Sequence, residues 1–152
     1  MDDVTGDWDR PRTERFLDEH AVPVRIACRT GDDGLWMLSL WFRYDDGHLR
    51  CATGANARVV DYLRADPTVA FEVSTNRPPY MGVRGAGTAT VESEGGKPLL
   101  RELLERYLGG TDSDLARRLL SPDREEVVVD VDIERAYTWD FSDRMGGDPS
   151  DE

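Results

Sequence analysis

An antiparallel β-barrel of Greek-key type, with about six strands and short peripheral helices, is the fold this sequence predicts. Three observations carry that expectation. Segments that alternate apolar and polar residues recur along the chain, punctuated by Gly, Asp-Asp-Gly and Asp-Pro. The connections read as hairpins and non-neighbouring returns, not as a strict strand–helix–strand repeat. The helical patterns are short and fall between strands or after them. The class is therefore mainly β within α+β. Residues 1–145 are expected to form a single domain, followed by an acidic tail over 146–152.

Taken in order, Arg12 to His20 has an apolar edge at Phe16 and Leu17, with Thr13 as its expected cap. Val22 to Arg29 alternates cleanly, with Val22, Val24, Ile26 and Cys28 on one face and Arg25 and Arg29 on the other, which is a half-buried strand. Leu35 to Phe42, "LWMLSLWF", is apolar on both faces. Such a strand is covered twice, by the core and by a partner subunit or a flat ligand. Asp45-Asp46-Gly47 turns the chain into the next strand, Leu49 to Thr53. Asn56 to Ala65 carries Val59, Val60 and Leu63 on one stripe, and Asp66-Pro67 stops it. Val69 to Ser74 is a strand with Val69, Phe71 and Val73 inward.

Met81 to Val91, "MGVRGAGTATV", is strand-like but rich in glycine. Either something approaches its backbone closely, or it bends hard at a barrel corner. Pro98 to Leu108 is a helix that begins near a proline and ends at Gly109-Gly110. Ser113 to Leu120 is a second helix, stopped by Ser121-Pro122. Glu126 to Phe141 closes the fold as a long strand with Val127, Val129, Val131 and Ile133 on one side.

The chain has 152 residues and a formal net charge of −12, which argues against nucleic acid and against an anionic membrane surface as partner. The start, "MDDVTGDWDR", reads as neither a secretory signal nor a basic transit peptide, so a cytoplasmic location is expected. Lys97 is the only lysine, and the remaining basic residues are arginine. This acidic, lysine-poor composition resembles that of proteins from salt-loving archaea, where molar salt shortens the Debye length to about 3 Å and screens carboxylate repulsion. Cys28 and Cys51 are the only cysteines. They are expected as buried, reduced thiols, and neither they nor His20 and His48 are spaced as a metal site.

No nucleophile–base pair is visible, so hydrolase and thiol chemistry have no support. The chemistry concentrates at "CATGANARVVDYL". There a strand ends at Thr53, the chain turns through Gly54 and Asn56, and a helix begins with Arg58 in its first turn. Helix capping by Asn56 is one account. The other is an anion held by backbone N–H groups, a hydroxyl and a guanidinium.

The run "SLWFRYDDGHLRCATGANARVVDYLRADPTVAFEV", followed by "YMGVRGAGTATV", resembles the pyridoxamine 5′-phosphate oxidase-like flavin-binding split barrels. The resemblance extends more loosely to "WDFSDRM". It implies a homodimer of split β-barrels with FMN in a groove between subunits, and an oxidoreductase passing hydride or electrons to or from a small organic substrate. Met37, Leu38, Ser39, Leu40 and Trp41 would then run along the flavin. Thr53, Gly54, Asn56 and Arg58 would hold its phosphate. Gly82 and Arg84 would face the cofactor, and Trp139 and Arg144 would complete the site. The resemblance leaves open a deazaflavin F420 reductase, and a non-catalytic flavin- or haem-binding storage protein. Family members often carry two adjacent basic residues at the phosphate; here Val59 follows Arg58.

Overall fold

The computed structural model describes residues 1–145. The strands are β1 (Asp3–Gly6), β2 (Val24–Arg29), β3 (Leu35–Leu40), β4 (Phe42–Asp45), β5 (His48–Gly54), β6 (Thr68–Ser74), β7 (Met81–Glu92) and β8 (Glu126–Asp140). The helices are α1 (Arg10–Glu19), α2 (Arg58–Ala65), α3 (Gly96–Leu108), α4 (Asp114–Leu119) and α5 (Ser142–Met145).

The strands form one sheet in the order β3-β2-β6-β7-β8-β5-β4, with β1 added in parallel to the second half of β8. All the other pairings are antiparallel. The two ends of that order, β3 and β4, are consecutive in sequence and separated by Trp41 alone. The sheet therefore curls until its first and last strands belong to one continuous run, which is the expected antiparallel barrel.

The strand number differs from the expectation of six: the sheet has eight strands. Leu35 to Phe42 is not one strand. It breaks at Trp41, where the chain leaves its pairing with β2 and joins β5. The eighth strand, β1, comes from a polar N-terminal stretch with no apolar alternation, and it forms by adding to β8.

The interior explains the alternation. Val24, Ile26, Phe42, Leu49, Cys51, Val69, Phe71, Val73, Val83, Val127, Val129 and Val131 point inward and are buried. Phe16 and Leu17 from α1, and Val59, Val60 and Leu63 from α2, complete this core. Each fully buried aliphatic or aromatic side chain contributes about 1.5–3 kcal/mol. Outside the sheet, Leu99, Leu100, Leu103 and Leu104 of α3 pack against Val128, Ala116 and Trp41. Arg106 ties α3 to the end of α1 by donating to the carbonyls of Leu17, Asp18 and His20 at 2.8, 2.7 and 2.9 Å.

β3 has the two faces the sequence calls for. Trp36, Leu38 and Leu40 pack on the core, while Leu35 and Met37 are 79% and 64% exposed. The glycines of β7 answer to a bend. A register irregularity falls between Ala86 and Gly87, and a Cβ on Gly85 would lie 1.9 Å from the Arg135 carbonyl oxygen. The cap of α1 is Asp9, whose carboxylate accepts from the Arg12 N–H; Thr13 is buried and donates its hydroxyl to the Asp9 carbonyl. Both cysteines are free and buried, and burial pushes the Cys51 thiol far above its ordinary pKa. No helix among the described residues is long and apolar enough to cross a membrane. Among the described residues, no cluster of side chains could hold a metal ion.

Candidate functional site

β5 ends at Gly54, and the chain turns into α2 through Ala55, Asn56 and Ala57. The Ala57 N–H donates to the Gly54 carbonyl at 3.0 Å, which closes the turn. The Ala55 N–H donates to the Glu125 carbonyl at 2.9 Å, which fixes the turn to the approach of β8. The cap of α2 is Ala57, not Asn56, and no side chain hydrogen-bonds the helix start. The first N–H groups of α2 are thus left for solvent or a ligand, and they carry the positive end of the helix dipole.

A hollow of about 420 Å³ opens here, lined by Thr53, Gly54, Asn56 and Ala57 and, from the far side, by Asp123, Arg124 and Glu125. Sequence reasoning missed Arg124. It lies in the loop before β8, where the only local signal is the carboxylate two positions on. Its Nε and one terminal nitrogen both donate to Glu126 Oε1 at 3.2 Å, and the Glu126 side chain is 3% exposed.

Arg58 opens α2, and its guanidinium stacks over Trp36, 5.9 Å from the ring centroid. Trp36 in turn tilts against Tyr62, with centroids 5.7 Å apart. The residue after Trp36 is Met37, which points the other way, into a second hollow of about 320 Å³ on the outer face of β2, β3, β6 and β7. Ala27, Met37 and Ala70 line it together with Arg25, Glu72 and Arg84. Arg84 stacks on Trp139 at 4.6 Å and on Tyr137 at 5.3 Å. One step of β3 therefore separates the cation-bearing corner from an apolar surface.

The structure brings together Thr53, Gly54 and Asn56 in the first hollow, and Met37 and Arg84 in the second, with Trp139 beneath Arg84. Arg58 lines neither hollow and lies over Trp36. Other expected site residues line neither hollow. Leu38 and Leu40 face the core, and Ser39 pairs with Arg25 on the outer face. Trp41 stacks flat on Tyr107, centroids 5.2 Å apart and planes at 9°, under α3. Gly82 is buried in the sheet, where a Cβ would lie 2.5 Å from the Val73 carbonyl oxygen, so packing accounts for it. Arg144 stacks on Phe141 at 5.3 Å.

One titratable cluster lies apart from both hollows. His48 Nδ1 is 2.7 Å from Asp130 Oδ1, and Arg50 bonds both Asp130 and Glu92. The hydrogen bond to Asp130, above all, raises the His48 pKa.

No sequence-family profile and no curated protein sequence matches the chain. Solved structures do. A conserved hypothetical protein from Mycobacterium tuberculosis superposes with a TM-score of 0.72 at 20% identity, over 88% of this chain and 86% of that one. A protein described as an F420 reductase gives 0.64 at 21% identity, over 80% and 94%. A Listeria innocua protein provisionally named a pyridoxamine 5′-phosphate oxidase gives 0.63 at 15% identity, over 84% and 95%. The fold is the pyridoxamine 5′-phosphate oxidase-like split barrel. The split-barrel structures that match also include one described as FAD-binding and one as a haem storage protein, so the fold is shared by binders of different ring cofactors.

Proposed function

We propose that this split barrel binds FMN and works as a cytoplasmic homodimeric oxidoreductase on a small organic substrate. The observation that carries the proposal is the uncapped start of α2 with Arg58 beside it, at the strand β3 whose opposite face is apolar and exposed. Arg58 and the uncapped start of α2 offer a cation and N–H donors for a phosphate. Met37 and the alanines beside it offer a flat apolar face for a ring.

In this reading Thr53 and Asn56 add polar donors at the phosphate, and Arg58 supplies the charge. Trp36 holds the guanidinium in place by stacking. The exposed Leu35 and Met37 would be covered by the second subunit, which would exclude water from the ring. FMN, when bound, supplies hydride or electron transfer, and the protein supplies binding and orientation. That division fits a site without a nucleophile–base pair.

The test is the absorbance of natively purified protein together with its mass in solution. The proposal expects flavin bands in the blue and near-ultraviolet on a dimer. A strong Soret band would mean haem, an F420 spectrum would mean the deazaflavin, and either would overturn the FMN assignment. A colourless monomer would overturn the proposal as a whole.

A further inference from the structure

We propose that the hollow between the end of α2, the start of α3 and the approach to β8 is a second anion site, for a small phosphorylated molecule, separate from the cofactor. Arg64 and Lys97 hold the phosphate, and Arg124 forms the wall toward the cofactor corner. The inference uses neither Arg58 nor the exposed face of β3, so it stands whether or not FMN is the cofactor.

Segments far apart in sequence build this hollow. Arg64 comes from the last turn of α2, Lys97 from the first turn of α3, and Arg124 from the loop before β8. Ser93, from the turn between β7 and α3, adds a hydroxyl. The volume of about 650 Å³ lies within the range of small-molecule sites and exceeds that of either hollow described above.

The charges that meet here run against the composition. The chain carries 31 acidic residues against 19 basic ones, and Lys97 is its only lysine. Three cations nevertheless line this hollow, against two carboxylates, Glu125 and Glu126. Arg124 and Glu126 neutralise each other, and the buried carboxylate fixes the guanidinium in place. Lys97 donates to the carbonyls of Leu120 and Ser121, which anchors its ammonium without neutralising it and leaves a third N–H. Arg64 forms no ion pair among the described residues.

Two cations without a carboxylate partner thus face one cavity. Arg64 and Glu125 are both exposed and screened by water, while Lys97 is half-buried and screened least. The balance at the site is positive in a chain of net charge −12. A phosphate matches it, since it takes a point charge from a lysine and a two-pronged contact from an arginine. The space beyond one phosphate leaves room for the group that carries it.

Pyrophosphate titrated calorimetrically into natively purified full-length protein tests this at low salt. Flavin absorbance and melting temperature are recorded on the same samples. Pyrophosphate should bind saturably and leave the flavin in place. Arg64→Gln should weaken it about tenfold, with flavin content and melting temperature as in the wild type. Arg64→Lys, which keeps the charge, should recover most of that loss. Arg58→Gln, at the cofactor corner, should leave pyrophosphate affinity within about twofold of the wild type.

The site is overturned if pyrophosphate fails to saturate or if Arg64→Gln binds it like the wild type. It is also overturned if pyrophosphate expels the flavin or is lost in Arg58→Gln, because the anion then sits in the cofactor corner. Binding that follows the Arg64 pattern in a protein without flavin upholds this site and overturns the FMN reading alone. Flavin on a protein that ignores pyrophosphate does the reverse.

Discussion

The guanidinium of Arg58 lies over the indole of Trp36, and the same indole meets the ring of Tyr62, one helical turn beyond Arg58. The cation at the start of α2 is thereby held by β3, the strand whose other face is apolar and exposed. A stacked guanidinium of this kind is worth about 0.5–1 kcal/mol at an exposed site. Trp36→Leu should therefore lower stability by about 1–2 kcal/mol through the lost stacking and partial burial, and should weaken cofactor retention as well. Trp36→Phe should keep most of both. Chemical unfolding alongside flavin absorbance checks the pair of effects.

His48 gives a pH dependence with a definite sign. Asp130 raises its folded-state pKa above the ordinary 6.5. A raised histidine contributes stability that is fully present below its unfolded pKa and is lost as pH climbs through the folded pKa. The His48 side chain is 41% exposed, so the contribution is small, under about 1 kcal/mol. Urea midpoints should fall gently from mildly acidic to mildly alkaline pH, and His48→Gln should flatten that slope. A variant with the wild-type slope would remove His48 as the cause.

Gly85 separates two accounts of the glycine-rich strand. Its missing Cβ leaves room for the Arg135 carbonyl, where β7 bends against β8. Gly85→Ala should destabilise the fold by about 2–4 kcal/mol by forcing the two strands apart. If stability is unchanged and only cofactor retention falls, the glycine serves the ligand and not the bend.

The composition sets a salt prediction. A net charge of −12 repels itself, and raising ionic strength from about 0.1 M to about 1 M shortens the Debye length from about 10 Å to about 3 Å. The unfolding midpoint should therefore rise in molar KCl. A midpoint that does not move with salt would contradict the salt-adapted reading.

Much of the fold was legible in the residues. Alternation at Val24, Ile26 and Cys28 assigned the core face of β2 correctly, and the double apolarity of Leu35 to Phe42 marked two apolar faces, of which β3 packs one on the core and leaves the other, expected to be covered, exposed. The break at Trp41 was not legible, because hydropathy does not report which edge a strand pairs with. Strand β1 was hidden for a related reason: its residues are polar, and it exists only by adding to β8.

The corner from Thr53 to Arg58 was visible as a motif, but its cap was not. Asn56 has the chemistry of a cap, yet Ala57 occupies the position. Arg124 was invisible because it reaches the hollow across the fold, from a loop far along the chain. Trp41, which the resemblance sets along the cofactor, stacks on Tyr107 beneath α3, a contact that hydropathy does not report.

The most direct measurement of the central claim is the ligand released by heat from natively purified wild-type protein and from Arg58→Glu, identified by chromatography, with melting temperatures recorded for both. The account predicts stoichiometric FMN from the wild type and about tenfold less or lower from the folded variant, because a charge-assisted contact has become a repulsion. Equal FMN from the two proteins, or none from the wild type, would contradict it.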